Sequence, residues 1–322
     1  MRAMGPAGLV TRVFSTAGLP EARRVELWES HNASALIGLA VQADTPLEAT
    51  EVNVQLPRVQ LARVAGSPHA VSRTAAAIQR DPAEAIAVYL MLRGHCWFRH
   101  EDGAHAVRAG TAIICEADRP FARGFALGLE ELVVKVPHAA LSGVPRVRQP
   151  RITLVSGDPY ATALAKAAGR ATAAGRGVPA DEATVLDLVC VLIAGRRAGQ
   201  AVAHRAAARA YIEDHLTEPG LGAARIAAAI GISERQLSRV FAADGTSVPR
   251  HVLARRLDLA HALLAGQGRN PGNAPVAEIA ARCGFTSAAY FSHAFAEHFG
   301  RRASEVRASE VRAGAGFSFP PS

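Results

Sequence analysis

The rhythm of apolar and polar positions changes about half-way along the chain. Between residues 25 and 136, apolar side chains recur every second position in short runs punctuated by Gly, Pro, Asn and Asp. Residues 52–64 show the alternation in Val-Asn-Val-Gln-Leu and Val-Gln-Leu-Ala-Arg-Val. A period of two turns one strand face toward a core and the other away from it. Strands are therefore expected at 87–92, 96–100, 104–107, 112–115 and 129–136. A hairpin is expected at Glu101-Asp102-Gly103, because Asp-Gly supplies the positive φ of a tight β-turn. Short strands at this spacing predict a jelly-roll sandwich or barrel, whose apolar interior suits a small ligand.

Beyond residue 159 the period becomes helical. Helices are expected at 159–174 and 181–197, separated by the Gly-Arg-Gly-Val-Pro stretch 175–179. The second carries an apolar stripe of Val185, Leu188, Val189 and Leu192, which reads either as core or as a dimer seam. A further helix over 205–215 stops before Pro219-Gly220. Then one short pattern occurs twice. Residues 225–241 read Arg-Ile-Ala-Ala-Ala-Ile-Gly-Ile-Ser-Glu-Arg-Gln-Leu-Ser-Arg-Val-Phe. Residues 278–295 read Glu-Ile-Ala-Ala-Arg-Cys-Gly-Phe-Thr-Ser-Ala-Ala-Tyr-Phe-Ser-His-Ala-Phe. Gly231 and Gly284 hold the same place, where a sharp corner between two helices needs positive φ. Two helix-turn-helix units, joined by a long helix over 250–265 and a Gly/Asn/Pro loop over 266–275, can lay two helices into one DNA duplex. Near the end, Ala-Ser-Glu-Val-Arg occurs in tandem at 303–307 and 308–312, with no function attached to it.

The predicted fold class is α+β. Its expected parts are an N-terminal arm (1–24), a β-rich domain (25–145), a helical linker or dimerisation region (146–203), a DNA-binding domain (204–313) and a tail (314–322).

Composition supports two domains. The chain has 322 residues and 49% hydrophobic content, enough for two cores and unlike a disordered chain. Its net charge of +8 and pI near 10.0 suit a polyanionic partner. The charge is spread out, since residues 205–313 hold fourteen Arg and ten acids, half of the excess. The cysteines Cys96, Cys115, Cys190 and Cys283 are too scattered for a zinc pattern or a disulfide framework, so a reducing cytoplasm is expected. No signal peptide is read at the N-terminus. No apolar run approaches the roughly 20 residues of a membrane span.

Candidate DNA contacts follow from the repeated pattern. Ser233 is placed to cap the first recognition helix. Arg235, Gln236, Ser238 and Arg239 follow on or near its exposed side, and Arg can bond guanine O6 and N7 together. In the second unit Thr286 and Ser287 sit at the helix start, where hydroxyls and free N–H groups hold a phosphate. Ser292 and His293 can also reach the backbone. Ala288 and Ala289 cannot donate to base edges. Tyr290, Phe291, Phe295 and Phe299 have the spacing of core residues. No catalytic residue and no cofactor are expected, because no P-loop or dinucleotide fingerprint is present.

These residues resemble the AraC/XylS family of bacterial transcription regulators. Ile279-Ala280, Gly284-Phe285, Tyr290-Phe291, Phe295 and Phe299-Gly300 match the family's second unit. Ile226-Ala227, Gly231-Ile232-Ser233, Leu237, Arg239 and Phe241 match the first, and Arg255-Arg256-Leu257 with Ala260 match the connecting helix. The likeness spans residues 207–307. It departs from the family at His293 and Ala296, where basic residues are usual, and at Ala303 and Val306. The N-terminal part resembles the family's cupin-like sensor domain at Ser67-Pro68-His69, Arg73-Thr74, Ala109-Gly110 and Arg119-Pro120-Phe121. The resemblance implies a homodimeric transcription activator that binds double-stranded promoter DNA, responds to a small organic effector and engages RNA polymerase. Metal-binding cupins carry a His-x-His pair. Here His95 and His100 are five apart and on opposite strand faces, so with His105 they are not expected to bind metal. Two other readings are an effector-free regulator whose β domain only dimerises, and a catalytic cupin with a DNA-binding tail.

Overall fold

The computed structural model describes residues 10–141, 144, 146–173, 178–195, 198–265 and 274–307. The start of the arm, most of the 175–179 spacer, most of the 266–275 loop, the second tandem copy and the tail lie outside the described residues. The chain divides into two compact units. One is β-rich and spans residues 9–173 and 182–198; the other is helical and includes 199–322.

The β unit contains β1 (Val10–Ser15), α1 (Arg24–Ala35), β2 (Ala40–Gln42), β3 (Ala49–Gln55), β4 (Gln60–Gly66), β5 (His69–Arg73) and α2 (Ala75–Arg80). It continues with β6 (Ala85–His100), β7 (Gly103–Arg108), β8 (Thr111–Glu116), β9 (Phe121–Phe125), β10 (Leu129–Pro137), β11 (Arg151–Leu154), α3 (Pro159–Ala171) and α4 (Glu182–Ala194). All the strand pairs are antiparallel, in the order β1-β3-β4-β10-β6-β9-β5-β2, with β7 and β8 also on β6 and β11 on β8. The sheet curls because β6 serves two pairings. Its first part lies between β10 and β8; its last residues lie between β7 and β9. The change of partners falls at Gly94, whose φ is +83° and where a Cβ would stand 2.5 Å from the Gly128 carbonyl oxygen. Only glycine fits both demands. Strands expected separately at 87–92 and 96–100 are thus one continuous strand.

The concave face buries Trp28, Ala62, Tyr89, Phe98, Ile113, Phe121 and Val133 in one core. Helix α3 packs on β4 and β10, and α4 packs on α3. Two expectations change here. The region from residue 25 was read as mainly β, yet 24–35 is helical. Only Trp28 and Asn32 of that helix are buried, so it shows no apolar stripe to betray its period. The ambiguous stripe on α4 is core: Val185, Leu188 and Val189 are 0% exposed and Leu192 is 5%. It offers no free seam.

The helical unit contains α5 (Gln200–His215), α6 (Ala223–Ala229), α7 (Glu234–Ala242), α8 (Val248–Leu264), α9 (Val276–Arg282) and α10 (Ala288–Phe299). Its α5 begins five residues earlier than the sequence pattern indicates. Two separate cores form. Ile212, Ile226, Leu237 and Phe241 gather with Val248 and Val252 of α8. Ile279, Phe285, Phe291 and Phe295 gather with Leu257, Ala260 and Leu264 of the same helix. Helix α8 is therefore a shared spine, and Leu259 touches both clusters. Ala303 and Val306, where the chain departs from the family, are buried in the second core. No helix of the described residues is long and apolar enough to cross a membrane.

Candidate nucleic-acid interface and the interior of the β unit

Each helix-turn-helix corner is built locally. Gly231 has φ +72° and Gly284 has φ +84°, the left-handed region. Gly284 is also crowded, since a Cβ there would lie 2.9 Å from the Thr217 carbonyl oxygen. Ser233 starts α7 with a reciprocal cap: its Oγ accepts from the Gln236 N–H (3.2 Å), and Gln236 Oε1 accepts from the Ser233 N–H (3.0 Å). Ser287 starts α10, accepting from the Tyr290 N–H at 3.2 Å. These caps align the two recognition helices. Arg235 corresponds to Ala289, Gln236 to Tyr290, Ser238 to Ser292 and Arg239 to His293.

All nine expected DNA contacts are exposed. On α7, the spacing of Arg235, Ser238 and Arg239 puts them on one face, while Leu237, Val240 and Phe241 are buried behind it. Neither arginine pairs with a carboxylate among the described residues. The matching face of α10 offers Ala289, Ser292 and His293. There the Ser292 hydroxyl donates to the Ala288 carbonyl (2.9 Å), and His293 lies 3.8 Å from the Glu297 carboxylate. Gln236 and Ser233 are likewise engaged in capping, so part of their hydrogen-bonding capacity is spent within the helix.

Tyr290 is the residue misread from sequence. It was expected in the core with Phe291, Phe295 and Phe299, but it is 55% exposed. Its place in the third position of α10, where α7 has Gln236, turns it outward; aligning the two helices by their capping serines would have revealed this.

Ion pairs hold the first unit in shape. Asp244, just after α7, receives Arg205 at 2.9 Å and Arg209 at 2.8 Å from α5. Buried Arg255 of α8 donates to Glu213 of α5 at 2.6 Å and to Asp258 at 2.9 Å.

The β unit has an unusually polar interior. Arg123 of β9 is 2% exposed and donates to both carboxylate oxygens of Glu131, at 3.0 and 2.5 Å. Its guanidinium lies 4.1 Å from the Tyr89 ring centre and 4.9 Å from that of Phe125. Yet among the described residues Arg123 Nε and the Tyr89 hydroxyl find no hydrogen-bond partner. A buried donor left so costs roughly 1–3 kcal/mol. Both residues line a small cavity together with Trp28, Leu36, Val41 and His69. Glu51 of β3 is fully buried, and neither of its oxygens is hydrogen-bonded. Burial pushes its carboxyl up to about 7.

His100 and His105 meet across the β6–β7 hairpin, with 3.1 Å between their Nε2 atoms. His95 is exposed, and the five-residue step along β6 puts it on the opposite face from His100. Among the described residues, no three metal-binding side chains cluster. Cys96, Cys115 and Cys283 are buried, and burial pushes the Cys115 and Cys283 thiols up to about 12. The residues that carry the N-terminal resemblance mostly hold backbone: Arg73 donates to the carbonyls of Ala117, Gly38 and Asp81, and Thr74 caps α2.

A curled sheet with a small, mostly apolar cavity, joined in one chain to paired helix-turn-helix units, defines a DNA-binding transcription regulator with a sensor domain. The chain belongs to the AraC family of such regulators: residues 28–218 match its AraC-binding-like domain and residues 226–309 a helix-turn-helix domain. It is 26% identical to the transcriptional activator NphR of Rhodococcus sp. over 274 residues, covering 80% of this chain and 79% of that one. It is 31% identical to the transcriptional activator RhrA of Rhizobium meliloti (strain 1021) over 96 residues, 30% of each chain. Among solved structures, the AraC-like transcriptional activator CuxR is similar over 76% of this chain and 94% of that one, at 19% identity and a TM-score of 0.46.

Proposed function

We propose that this regulator is a cytoplasmic, homodimeric transcription activator that binds promoter DNA through α7 and α10, holds a small organic effector inside the β unit, and recruits or stimulates RNA polymerase. Both named relatives being transcriptional activators supports the activator role. The observation that carries the DNA interface is the outward face of α7, where Arg235, Ser238 and Arg239 stand together without a carboxylate partner. In this reading Arg235 and Arg239 read bases, helped by Gln236 and Ser238, while Ser233, Thr286, Ser287, Ser292 and His293 orient the duplex through its phosphates.

The test is a randomised-site selection and salt titration on the full chain and three variants. Wild-type affinity falls steeply with salt, as counterion release requires. Arg235→Ala loses about 1–3 kcal/mol on the best site and relaxes one base preference. Ser287→Ala and His293→Ala weaken all sequences by similar factors. Unchanged base preference in Arg235→Ala, or a more stringent half-site under α10, overturns the assignment.

A further inference from the structure

Two residues lining one small cavity of the β unit, Tyr89 and Arg123, each carry a buried donor without a partner among the described residues, and the rest of the wall is mostly apolar. Resting on the reading of that unit as a sensor, we propose that its interior selects an uncharged molecule whose apolar body carries one hydroxyl or carbonyl oxygen, held between the Tyr89 hydroxyl and Arg123 Nε. Arg123 is fixed for this task. Its two terminal nitrogens are taken by Glu131, and its plane lies against Tyr89 and Phe125. Nε has no partner among the described residues, and a donor needs an acceptor oxygen opposite it. The Tyr89 hydroxyl is also without a partner among the described residues, and its ring lies against the same guanidinium, so in this proposal it is the second donor to the oxygen.

A ligand hydroxyl has a further partner. His69 lines the same cavity, and its Nδ1 lies 2.7 Å from the Ser67 carbonyl oxygen. That bond makes Nδ1 the protonated nitrogen and leaves Nε2 as an acceptor. Burial disfavours the charged form of this ring and lowers its pKa, which keeps the acceptor available near neutral pH.

Charge balance excludes ions. The cavity wall carries one guanidinium and one carboxylate, already paired. A ligand carboxylate would compete with Glu131 for Arg123, and an ammonium would compete with Arg123 for Glu131. Either leaves a charge unanswered in a desolvated interior. Glu51, the carboxyl without a partner, is not part of the cavity wall. Size sets a further limit. The cavity measures about 40 Å³, room for about three water-sized positions. A compact body of a few heavy atoms enters with little rearrangement, and a larger one must displace wall side chains.

The chain has two tryptophans, Trp28 on the cavity wall and Trp97, which is exposed. In the full-length Trp97→Phe protein, the indole N–H resonance of Trp28 is therefore a single reporter of the cavity. Five probes of equal heavy-atom count separate the alternatives: 2-butanone, butan-2-ol, propanoate, butan-2-amine and pentane. The first two should shift the Trp28 resonance saturably. Propanoate, butan-2-amine and pentane should bind about tenfold more weakly or worse, the size of one lost hydrogen bond. Adding Tyr89→Phe, which leaves Arg123 Nε as the remaining donor, should reduce the preference for 2-butanone over pentane and leave pentane unchanged, which also shows that the cavity persists. Equal binding of pentane or of either ion, an intact oxygen preference in Tyr89→Phe, or no shift with any probe overturns the proposal. DNA affinity measured beside it keeps the two readings apart. If 2-butanone binds here and DNA affinity does not change, sensor control fails and the ligand class stands. A metabolite that changes DNA affinity without moving Trp28 refutes the ligand class and leaves sensor control standing.

Discussion

Replacing Glu51 with Gln should stabilise the β unit above neutral pH and do little in acid. Glu51 projects from β3 between Phe14 of β1 and Val64 of β4, its strand partners, and is fully buried. His31 Nε2 lies 3.7 Å from its carboxylate. That histidine is itself held neutral, by burial and by the charge of Arg12, so it answers little of the carboxylate's charge at pH 7. Burial, opposed by the Asn53 side chain and reinforced by the Glu131 charge, moves the Glu51 carboxyl from the ordinary 4.5 to about 7. The folded state therefore holds this proton more tightly than the unfolded chain. Stability is fully present below pH 4.5, declines as pH rises and is lost once pH passes about 7. The displacement corresponds to about 3 kcal/mol at pH 8, and to less than about 1 kcal/mol at pH 5. The assay is urea unfolding followed by Trp28 emission in the Trp97→Phe background, with and without Glu51→Gln. Titrating groups away from Glu51 cancel in the comparison. The advantage of the Gln variant should grow by about 2–3 kcal/mol between pH 5 and pH 8. An advantage that stays constant within about 0.5 kcal/mol refutes the argument.

Other substitutions probe the backbone and the core. Gly284→Ala should destabilise the helical unit by more than Gly231→Ala, because both positions have positive φ but only Gly284 has a carbonyl within 3 Å of the new methyl; helical circular dichroism during urea unfolding ranks the two. Ser233→Ala removes the Oγ half of the α7 cap, leaving Gln236 Oε1 on the backbone N–H, and should cost about 1 kcal/mol in the same assay. Leu188→Asp places a charge at a fully buried site on α4. It should abolish cooperative unfolding of the β unit rather than yield a folded monomer, and sedimentation of a well-folded monomer would count against the core reading.

The helix-turn-helix units were legible because their determinants are local. A turn glycine, a capping serine two or three residues on and apolar side chains at helical spacing fix each corner within about twenty residues. The β unit was legible only in outline. Alternation located most strands, but it could not show that β6 runs unbroken through Gly94, since that depends on which strands approach on either side. Helix α1 was hidden because it buries one large apolar side chain and one asparagine, too few to imprint a period. The stripe on α4 was visible but ambiguous, as burial by α3 and burial by a second copy leave the same pattern. Least legible was the Arg123–Glu131–Tyr89 arrangement, whose members come from β9, β10 and β6 and meet only through the register of the curled sheet.

Helix α8 has a consequence for the arithmetic of DNA sites. It belongs to both cores, through Val248 and Val252 at one end and Leu257, Ala260 and Leu264 at the other. The two recognition helices are therefore geared to a common shaft. One residue inserted in its middle would turn one core against the other by about 100° and advance it by about 1.5 Å. DNA has its own gearing, since one added base pair turns one half-site relative to the next by about a tenth of a helical turn. For an operator read by both α7 and α10, these two pitches must mesh, so selection on spacer length should be as strict as selection on the bases themselves.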